Sequence, residues 1–500
     1  SPAPAASPTA PLPPTIALPT RPAEPAGPTL SPTIAVSDET DADAARALLP
    51  AFAADASLSP DLTRYWIETA VDFDPANLYA TLRGQERVRY VVPPGEPIDK
   101  IPLMLSPNDY QYDGDITVGR ALVNGVPTTG DLDRGGVVLW LPLDQPAAPG
   151  AVVDLSLPFE IRAGGPIGEA EDKRFGITQG VLAAPTFYPL VPRRTDNAWQ
   201  VETSRGGDPT NSDTAYYQVD LTVPQDLGLA ASGVAVGTRD NADGTVTTRF
   251  VSGPMRDFAF TLGPLQSTET TVGGVTVRAW ALAEHRQDAG QMLESAARQL
   301  ATLDGLVGPY PYPELDVVDV PGAFGGIEYP GIVFIGTLGT PWIDEPTVHE
   351  VAHQWFYALI GDDQLHEPWL DEAMASYAEV LYFERNGEPA RARDLLSTFR
   401  GEVLSLPDTT LPIGQGFDDY GDWGVYGGIV YAKGALFLDT LRHQIGDEAF
   451  FAFLSDFFQQ ERYGVATGKE FQQAAEKACS CDLESLFDLW VWQGGQVPGL

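Results

Sequence analysis

Near residue 275 the apolar residues of this 500-residue chain change their spacing, and this change limits the folds that are open to it. Between about 60 and 270, short segments alternate or run apolar and are rich in β-branched and aromatic residues, as in 152–161 (VVDLSLPFEI) and 216–223 (YYQVDLTV). Turn-forming pairs such as Asn124-Gly125 separate them. Alternation with turn signals is typical of β-strands, so we predict an all-β region of sandwich or saddle type.

Past this point the apolar residues recur with a helical period, first in 284–305. Short strands are predicted at 315–320 and 331–336. Helices are predicted at 346–360, 369–385, 391–404, 428–445, 447–460, 468–478 and 482–492. The second half is therefore predicted to be an α+β domain in which helices dominate.

Length and composition divide the chain further. Five hundred residues exceed one ordinary core, and a hydrophobic fraction of 43% is that of a folded protein. The first residues are Pro, Ala, Ser and Thr with almost no charge, which is the composition of an extended tether. We predict a tether over 1–37, a β domain over 38–272 and a helical α+β domain over 273–500.

The charge of the chain excludes one class of partner. With 69 acidic and 30 basic residues the net charge is −39, and such a surface repels the phosphates of nucleic acids. No apolar run approaches the 18 residues of a membrane-spanning helix. An acidic, tethered chain suits an exported protein, so we expect an extracytoplasmic location, either secreted or held by a lipid anchor upstream of Ser1.

The two cysteines, Cys479 and Cys481, are separated by one residue. Neighbours so close form a strained bridge or none. They are too few and too close to form a thiolate zinc site. They therefore say little about the redox compartment of the protein.

The window 346–360 (PTVHEVAHQWFYALI) is apolar around most of its circumference, which predicts a buried helix that stops before Gly361. His349 and His353 are four residues apart, so their imidazoles lie on one face and can bind one zinc ion. Glu350 sits beside the pair and can reach a water at the metal as a general base. The alternative is a pair of core histidines satisfied by hydrogen bonds. It is disfavoured because only five histidines occur in the chain and two have ligand spacing.

A catalytic zinc ion takes three protein ligands and leaves one position for water. The next predicted helix begins at Trp369 and carries Asp371 and Glu372 in its first turn. Glu372 follows His353 with 18 residues between them, and we predict it as the third ligand. Asp371 is predicted to serve the helix dipole or to accept the free imidazole N–H, and Glu379 could do likewise.

This arrangement, with Glu372 inside Trp-Leu-x-Glu, resembles the thermolysin-like gluzincin zinc metallopeptidases, and in particular the membrane alanyl aminopeptidase and leukotriene hydrolase family. The segment 325–329 (Gly-Gly-Ile-Glu-Tyr) is similar to that family's Gly-x-Met-Glu-Asn exopeptidase loop, with Ile and Tyr in place of Met and Asn. The segment 431–434 (Tyr-Ala-Lys-Gly) is similar to its Tyr-Glu-Lys-Gly. The resemblance covers roughly residues 60–500 and implies a β saddle or sandwich domain followed by a thermolysin-like catalytic domain.

The resemblance also implies roles for individual residues. It implies one zinc ion per chain, Glu350 as the base that takes a proton from the attacking water, and a Tyr431 hydroxyl that stabilises the oxyanion. Without the resemblance, Tyr431 would be an ordinary aromatic residue of a buried helix.

The same family implies a site for the free α-amine of a peptide. Glu328, with Gly325 and Gly326 in a loop that can lie against substrate, would bind this amine, although alone it would be a turn carboxylate. The family also offers a second polar amine-binding residue from its β domain, for which Gln179 is the candidate here, without aligning cleanly.

Three functions remain open from the sequence. The first is a zinc aminopeptidase acting on peptides, and the second is a zinc endopeptidase that uses the same machinery with Glu328 demoted. The third is a tethered binding or scaffold protein with a vestigial zinc site. The joint presence of ligands, base and tyrosine argues against the third. Side-chain preference and oligomeric state are not addressed by the sequence.

Overall fold

The computed structural model describes residues 40–57, 60–164, 173–208, 212–322, 324–336 and 343–500. Within these ranges, residues 41–500 form one compact unit. None of their helices has the length and apolarity needed to cross a bilayer. The tether predicted for 1–37 lies outside the described residues, and the domain boundary at 272/273 stays a prediction.

The first half of the described chain is built almost entirely of strands, after one short helix, α1 (Thr40–Arg46), and a 3₁₀ segment (Pro50–Ser57). The strands are β1 (Thr63–Asp74), β2 (Tyr79–Val91), β3 (Ile98–Met104), β4 (Gly114–Val118), β5 (Ala121–Val123), β6 (Val126–Thr128), β7 (Asp131–Asp133), β8 (Val138–Ala147), β9 (Val152–Gly164), β10 (Gly176–Thr178), β11 (Val181–Pro185), β12 (Arg194–Thr195), β13 (Ala198–Trp199), β14 (Ala215–Pro224), β15 (Gly228–Ala231), β16 (Val234–Asp240), β17 (Thr245–Val251) and β18 (Ala259–Gly263).

Among the described residues, nine strands form a large twisted sheet in the order β16-β17-β14-β1-β2-β9-β5-β6, with β4 also paired to β9. Smaller sheets have the orders β10-β11-β18-β15 and β3-β8-β7. Along β9 every second side chain is buried, because one face of the strand packs on the core. The predicted all-β first half is confirmed.

The second half combines a small sheet with many helices. Its elements are β19 (Gln266–Val272), β20 (Val275–Ala281), α2 (Arg286–Leu306), β21 (Glu314–Val320), β22 (Gly326–Tyr329), β23 (Ile332–Gly336), α3 (Asp344–Ala352), α4 (Trp369–Arg385), α5 (Pro389–Ser405), α6 (Phe417–Tyr420), α7 (Trp423–Tyr426), a π-helical stretch (Gly427–Lys433), α8 (Gly434–Ile445), α9 (Asp447–Glu461), α10 (Gly468–Cys479), α11 (Glu484–Phe487) and a second π-helical stretch (Asp488–Trp492). The sheet order is β19-β20-β21-β23-β22, in which β22 is an edge strand antiparallel to β23. This confirms a helix-dominated α+β second half.

The helix predicted over 346–360 was wrong in its C-terminal half, because α3 ends at Ala352. From there the chain turns and pairs with the segment after α9: Tyr463 donates its amide to the carbonyl of Leu359 at 2.6 Å, and Gly361 donates to Gly464 at 3.0 Å. Tyr357 adopts a φ of 131°, a strained value for a residue other than glycine. Long-range backbone pairing therefore replaces the helix that the local pattern favours.

Two other predicted helices are divided. The range 428–445 begins as the π-helical stretch and continues as α8, and 482–492 is divided between α11 and the second π-helical stretch. Widened turns of this kind are frequent at functional sites. Cys479 and Cys481, for which a bridge or none was expected, form a disulfide after α10.

Helix α4 is anchored by aromatic packing. Trp369, at its first turn, is fully buried and lies edge-on against Phe437, Phe471 and Trp492 at centroid distances of 6.0, 5.3 and 6.3 Å. Burying aromatic rings in edge-to-face contact is strongly stabilising. The first turn of α4 is therefore a fixed point, from which its acidic side chains project.

Gln354 joins the end of α3 to the β22–β23 hairpin. Its Oε1 accepts a hydrogen bond from the amide of Gly331 at 2.8 Å, and its Nε2 donates to the carbonyl of Tyr329 at 2.9 Å. The side chain is fully buried. This amide bridge fixes the edge strand relative to the helix that carries His349 and is followed by His353.

We predict that Gln354→Leu destabilises the protein, because two buried backbone groups lose their partners at a cost of about 1–3 kcal/mol each. The midpoint of urea unfolding, followed by circular dichroism, should fall. The matched variant Gln460→Leu, on the exposed face of α9, should leave it unchanged. Equal midpoints for the two variants would show that the bridge contributes nothing.

Candidate functional site

Helices α3 and α4 bring three ligand atoms to one point. The Nε2 atoms of His349 and His353 lie 3.1 and 3.3 Å from Oε2 of Glu372. Three ligand atoms bound tetrahedrally at about 2.0–2.1 Å from zinc lie roughly 3.3–3.4 Å apart. The three residues chosen from the sequence are therefore placed to hold one ion.

The other nitrogen of each imidazole is held by the protein. Nδ1 of His349 lies 2.8 Å from Oε1 of Glu379, and Nδ1 of His353 lies 3.0 Å from the carbonyl of Phe356. A metal-bound histidine ordinarily donates its second N–H to a carboxylate or carbonyl in this way, which fixes the tautomer and the ring orientation. The turn that ends α3 early thus supplies the carbonyl that orients His353.

The contacts of Asp371 agree with one of its two predicted roles and not with the other. Its Oδ1 accepts the amide of Glu372 at 2.7 Å and its Oδ2 accepts from Nε2 of Gln364 at 3.1 Å. The alternative was that Asp371 accepts the free imidazole N–H. For His349 this N–H faces Glu379 instead. Asp371 therefore serves the first turn of α4, where a negative charge is favourable.

The concentration of buried carboxyl groups in the site favours the binding of a cation. Burial raises the pKa of Glu328 and Asp371 well above the usual range, and neighbouring carboxylates raise both further. Burial also raises the pKa of Glu372, but the two imidazoles outweigh it and hold this carboxyl ionised. A divalent ion offsets such a concentration of buried acids. Two imidazoles and a carboxylate form a donor set that suits zinc, so the residues present fit this ion.

Glu350 lies where the edge strand comes closest to α3. Its side chain lines a cavity of about 650 Å³ and is buried. A Cβ atom at Gly326 would lie 2.3 Å from Cγ of Glu350. Only glycine therefore lets β22 approach Glu350 this closely.

Tyr431 projects from the π-helical stretch onto the ligands. Its ring stacks on His349 with a centroid distance of 5.7 Å and an interplanar angle of 12°. Its hydroxyl donates a hydrogen bond to Oε1 of Glu372. The tyrosine singled out from the sequence is therefore at the site, beside the open side of the ligand cluster.

Glu328 enters the same cavity from β22. Its Oε1 accepts a hydrogen bond from Nε2 of Gln364 at 3.0 Å, and the side chain is buried. Gly325 and Gly326, which come just before it, also line the cavity. The structure thus brings Glu328 together with the ligands, as the sequence predicted.

The first half of the chain contributes residues that sequence reasoning missed. Gln179, our candidate, is exposed and does not line the cavity, whereas Gln111, Arg174 and Asp208 do. Arg174 donates to Oε1 of Gln111 at 3.2 Å and to Asp208. All three lie outside the strands, so no local pattern identifies them, and only the folded chain brings them together.

We predict that Glu379→Gln weakens zinc binding about 10- to 100-fold, since the orienting carboxylate of His349 is lost. Zinc retention during competition with a coloured chelator measures this. Glu372→Ala should lose zinc almost entirely, and Glu388→Gln, at a half-buried position between α4 and α5 outside the cavity lining, should behave as the unmodified protein. A Glu379→Gln protein with unchanged affinity would contradict the assigned role.

Part of the chain is similar to known peptidases. Residues 292–490 match the peptidase family M1 domain. Aminopeptidase N from Lactococcus lactis subsp. lactis is 31% identical over 165 residues, which are 29% of this chain and 18% of that protein. Aminopeptidase N from Streptomyces lividans is 30% identical over 156 residues, 30% of this chain and 18% of that protein. The chain thus spans less than a fifth of the length of either relative.

A solved structure resembles most of the chain. An M1 zinc metallopeptidase from Deinococcus radiodurans has a TM-score of 0.68 and 22% identity, and the match covers 88% of this chain and 95% of that one. A variant of that protein bound to Tyr-Ser-Ala covers the same shares with a TM-score of 0.66. These likenesses show a common fold, a β-rich domain followed by a helical domain.

Proposed function

We propose that the chain is a zinc-dependent aminopeptidase that releases N-terminal residues from peptides, on the premise that residues 292–490 match the peptidase family M1 domain. The observation that carries the proposal is the place of Glu328, whose buried carboxylate lines the same cavity as the three ligands. A free α-ammonium group bound there would bring the first peptide bond of a substrate to the metal.

The residues around the ligands divide the chemistry between them. Zinc bound by His349, His353 and Glu372 supplies a Lewis acid that acidifies water and polarises a carbonyl oxygen. Glu350 takes the proton of the attacking water and passes it to the leaving amine. Burial raises the pKa of Glu350 to about 7, which suits a group that accepts and returns a proton near neutral pH. Tyr431 donates its hydroxyl hydrogen to the developing oxyanion.

Two carboxylates are placed to bind the ammonium group. Burial raises the pKa of Glu328 and the nearby Asp208 raises it further, so the ionised form of Glu328 is unfavourable without a cation beside it. Gln364 holds Glu328, and Arg174 holds Asp208. A substrate ammonium at these two acids would stabilise the ionised form of Glu328 and form charge-assisted hydrogen bonds. Asp208 thus takes the part that we had considered for Gln179.

The edge strand is suited to hold the substrate main chain. An extended peptide can add to an exposed strand edge by backbone hydrogen bonds. Gly325 and Gly326 leave that edge of β22 free of side chains next to Glu350. We propose that they contact the substrate backbone. An endopeptidase would use the same edge and the same metal, without an ammonium at Glu328.

We propose that the protein acts outside the cytoplasm. The support is the almost uncharged, Pro-, Ala-, Ser- and Thr-rich composition of 1–37 together with the net charge of −39. Fractionation of the cells that produce it would test this, and recovery of the native protein in the cytosolic fraction alone would contradict it.

We predict that Glu350→Gln lowers kcat about 10²- to 10⁴-fold, because the amide cannot accept a proton. Zinc content should stay at one ion per chain, since Glu350 is not a ligand. Both quantities are measured on the same preparation, by peptide hydrolysis and by elemental analysis. A zinc-loaded Glu350→Gln protein with full activity would end the proposed role.

We predict that Leu-Gly-Gly is hydrolysed and its N-acetylated form is not. Glu328→Gln and Asp208→Asn should each lower kcat/KM for the free tripeptide about 10- to 100-fold, the effect of one charge-assisted hydrogen bond. Product release is followed by chromatography. Equal cleavage of the free and acetylated peptides would replace the aminopeptidase by the endopeptidase, and no cleavage by zinc-loaded protein would favour the scaffold.

A further inference from the structure

Trp423 is an exposed aromatic side chain at the cavity. It is the first residue of α7, it lines the cavity, and it is 53% exposed. Its ring packs against Phe417 and Tyr426 at centroid distances of 4.8 and 5.6 Å, which fixes its orientation. A fixed indole that leaves half its surface open at a cavity marks a binding surface.

Three exposed aspartates come shortly before this indole in the chain. Asp418 and Asp419 lie on α6, just before it, and Asp422 caps α7 by accepting the amides of Gly424 and Val425 at 2.9 and 3.1 Å. Among the described residues, no Lys or Arg forms an ion pair with any of the three aspartates. The mouth of the cavity next to Trp423 therefore carries negative charge that the protein does not neutralise.

The cavity itself has the same sign. Six carboxylates line it against one guanidinium, that of Arg174. This guanidinium is engaged by Asp208, by Gln111 and by the carbonyl of Gly207 at 3.1 Å. Glu345 is paired with Arg391 at 3.1 Å, and a zinc ion together with one substrate ammonium offsets the remaining charge of the lining. The uncompensated charge is therefore that of the aspartates near Trp423, and a second positive charge on the substrate is complementary to this acidic mouth.

We propose that Trp423 and the aspartates beside it select peptides whose N-terminal residue is Arg or Lys. A cation binds best to the face of tryptophan among the aromatic side chains, and the aspartates add attraction from the solvent side. An aromatic or aliphatic first residue would gain the stacking or the contact area without the charge. This inference rests on the proposed aminopeptidase function and names its preferred substrate class.

The test compares kcat/KM for the Arg-, Leu- and Phe-amides of aminomethylcoumarin. The unmodified enzyme should prefer Arg over Leu. In Trp423→Leu, which keeps an apolar side chain but removes the aromatic face, the Arg/Leu ratio should fall roughly 3- to 30-fold. Trp423→Phe should give an intermediate ratio. Tyr79→Leu, an aromatic replacement on β2 outside the cavity lining, should leave the ratio unchanged.

The charge is tested separately through Asp418→Asn. This variant should lower the Arg/Leu ratio without removing the indole, and the ratio of the unmodified enzyme should fall as NaCl increases, because salt screens exposed charges. A Phe preference that Trp423→Leu removes would show stacking of aromatic residues and overturn the proposal. So would equal loss for all three substrates. Absence of activity on every free-amine substrate, in zinc-loaded protein, would instead reject the aminopeptidase function itself.

Discussion

The meeting of two imidazole nitrogens with one carboxylate oxygen is the contact on which the rest of the site depends. His349, His353 and Glu372 come from two helices, so the geometry is only as exact as the packing of α3 on α4. Gln299, fully buried on α2, donates from Nε2 to the carbonyls of Val348 and Ala378 at 3.2 and 3.3 Å. One side chain thus contacts both helices. Val348 precedes the ligand His349, and Ala378 precedes Glu379, which orients that ligand.

Three buried glutamines connect elements that build this site. Gln299 joins α2 to α3 and α4, Gln354 joins α3 to the β22–β23 hairpin, and Gln364 joins Glu328 to Asp371. An amide offers both a donor and an acceptor and adds no charge. In a cavity crowded with carboxylates, a lysine or arginine at these joints would compete with the metal for the acids. Neutral bridges hold the acids in place and leave their charge for zinc and substrate.

The sequence was sufficient to predict those features of the site that depend on residues close together in the chain. The spacing of His349 and His353 lies within one helix, and the position of Glu372 follows from the start of the next helix. The end of α3 was not predictable in the same way, because the pairing of 359–361 with 463–466 joins segments about a hundred residues apart. Asp208 was not predicted for a related reason. It lies in a connection between strands, and only the folded chain brings it near Glu328.

Under the proposed function, the choice between exopeptidase and endopeptidase depends on Glu328 and Asp208, which come from the two halves of the chain. The metal ligands and Glu350 can serve either reaction, so they do not decide it. Burial and the nearby Asp208 disfavour the ionised form of Glu328; under the proposed function a free ammonium group would offset this cost, whereas an acylated nitrogen would not. A peptide threaded through the site would leave Glu328 desolvated and without a counter-charge, because Arg174 already pairs with Asp208 but only the neutral Gln364 contacts Glu328. Under the proposed function, discrimination would therefore come from the unfavourable energy of the wrong substrate as much as from attraction of the right one.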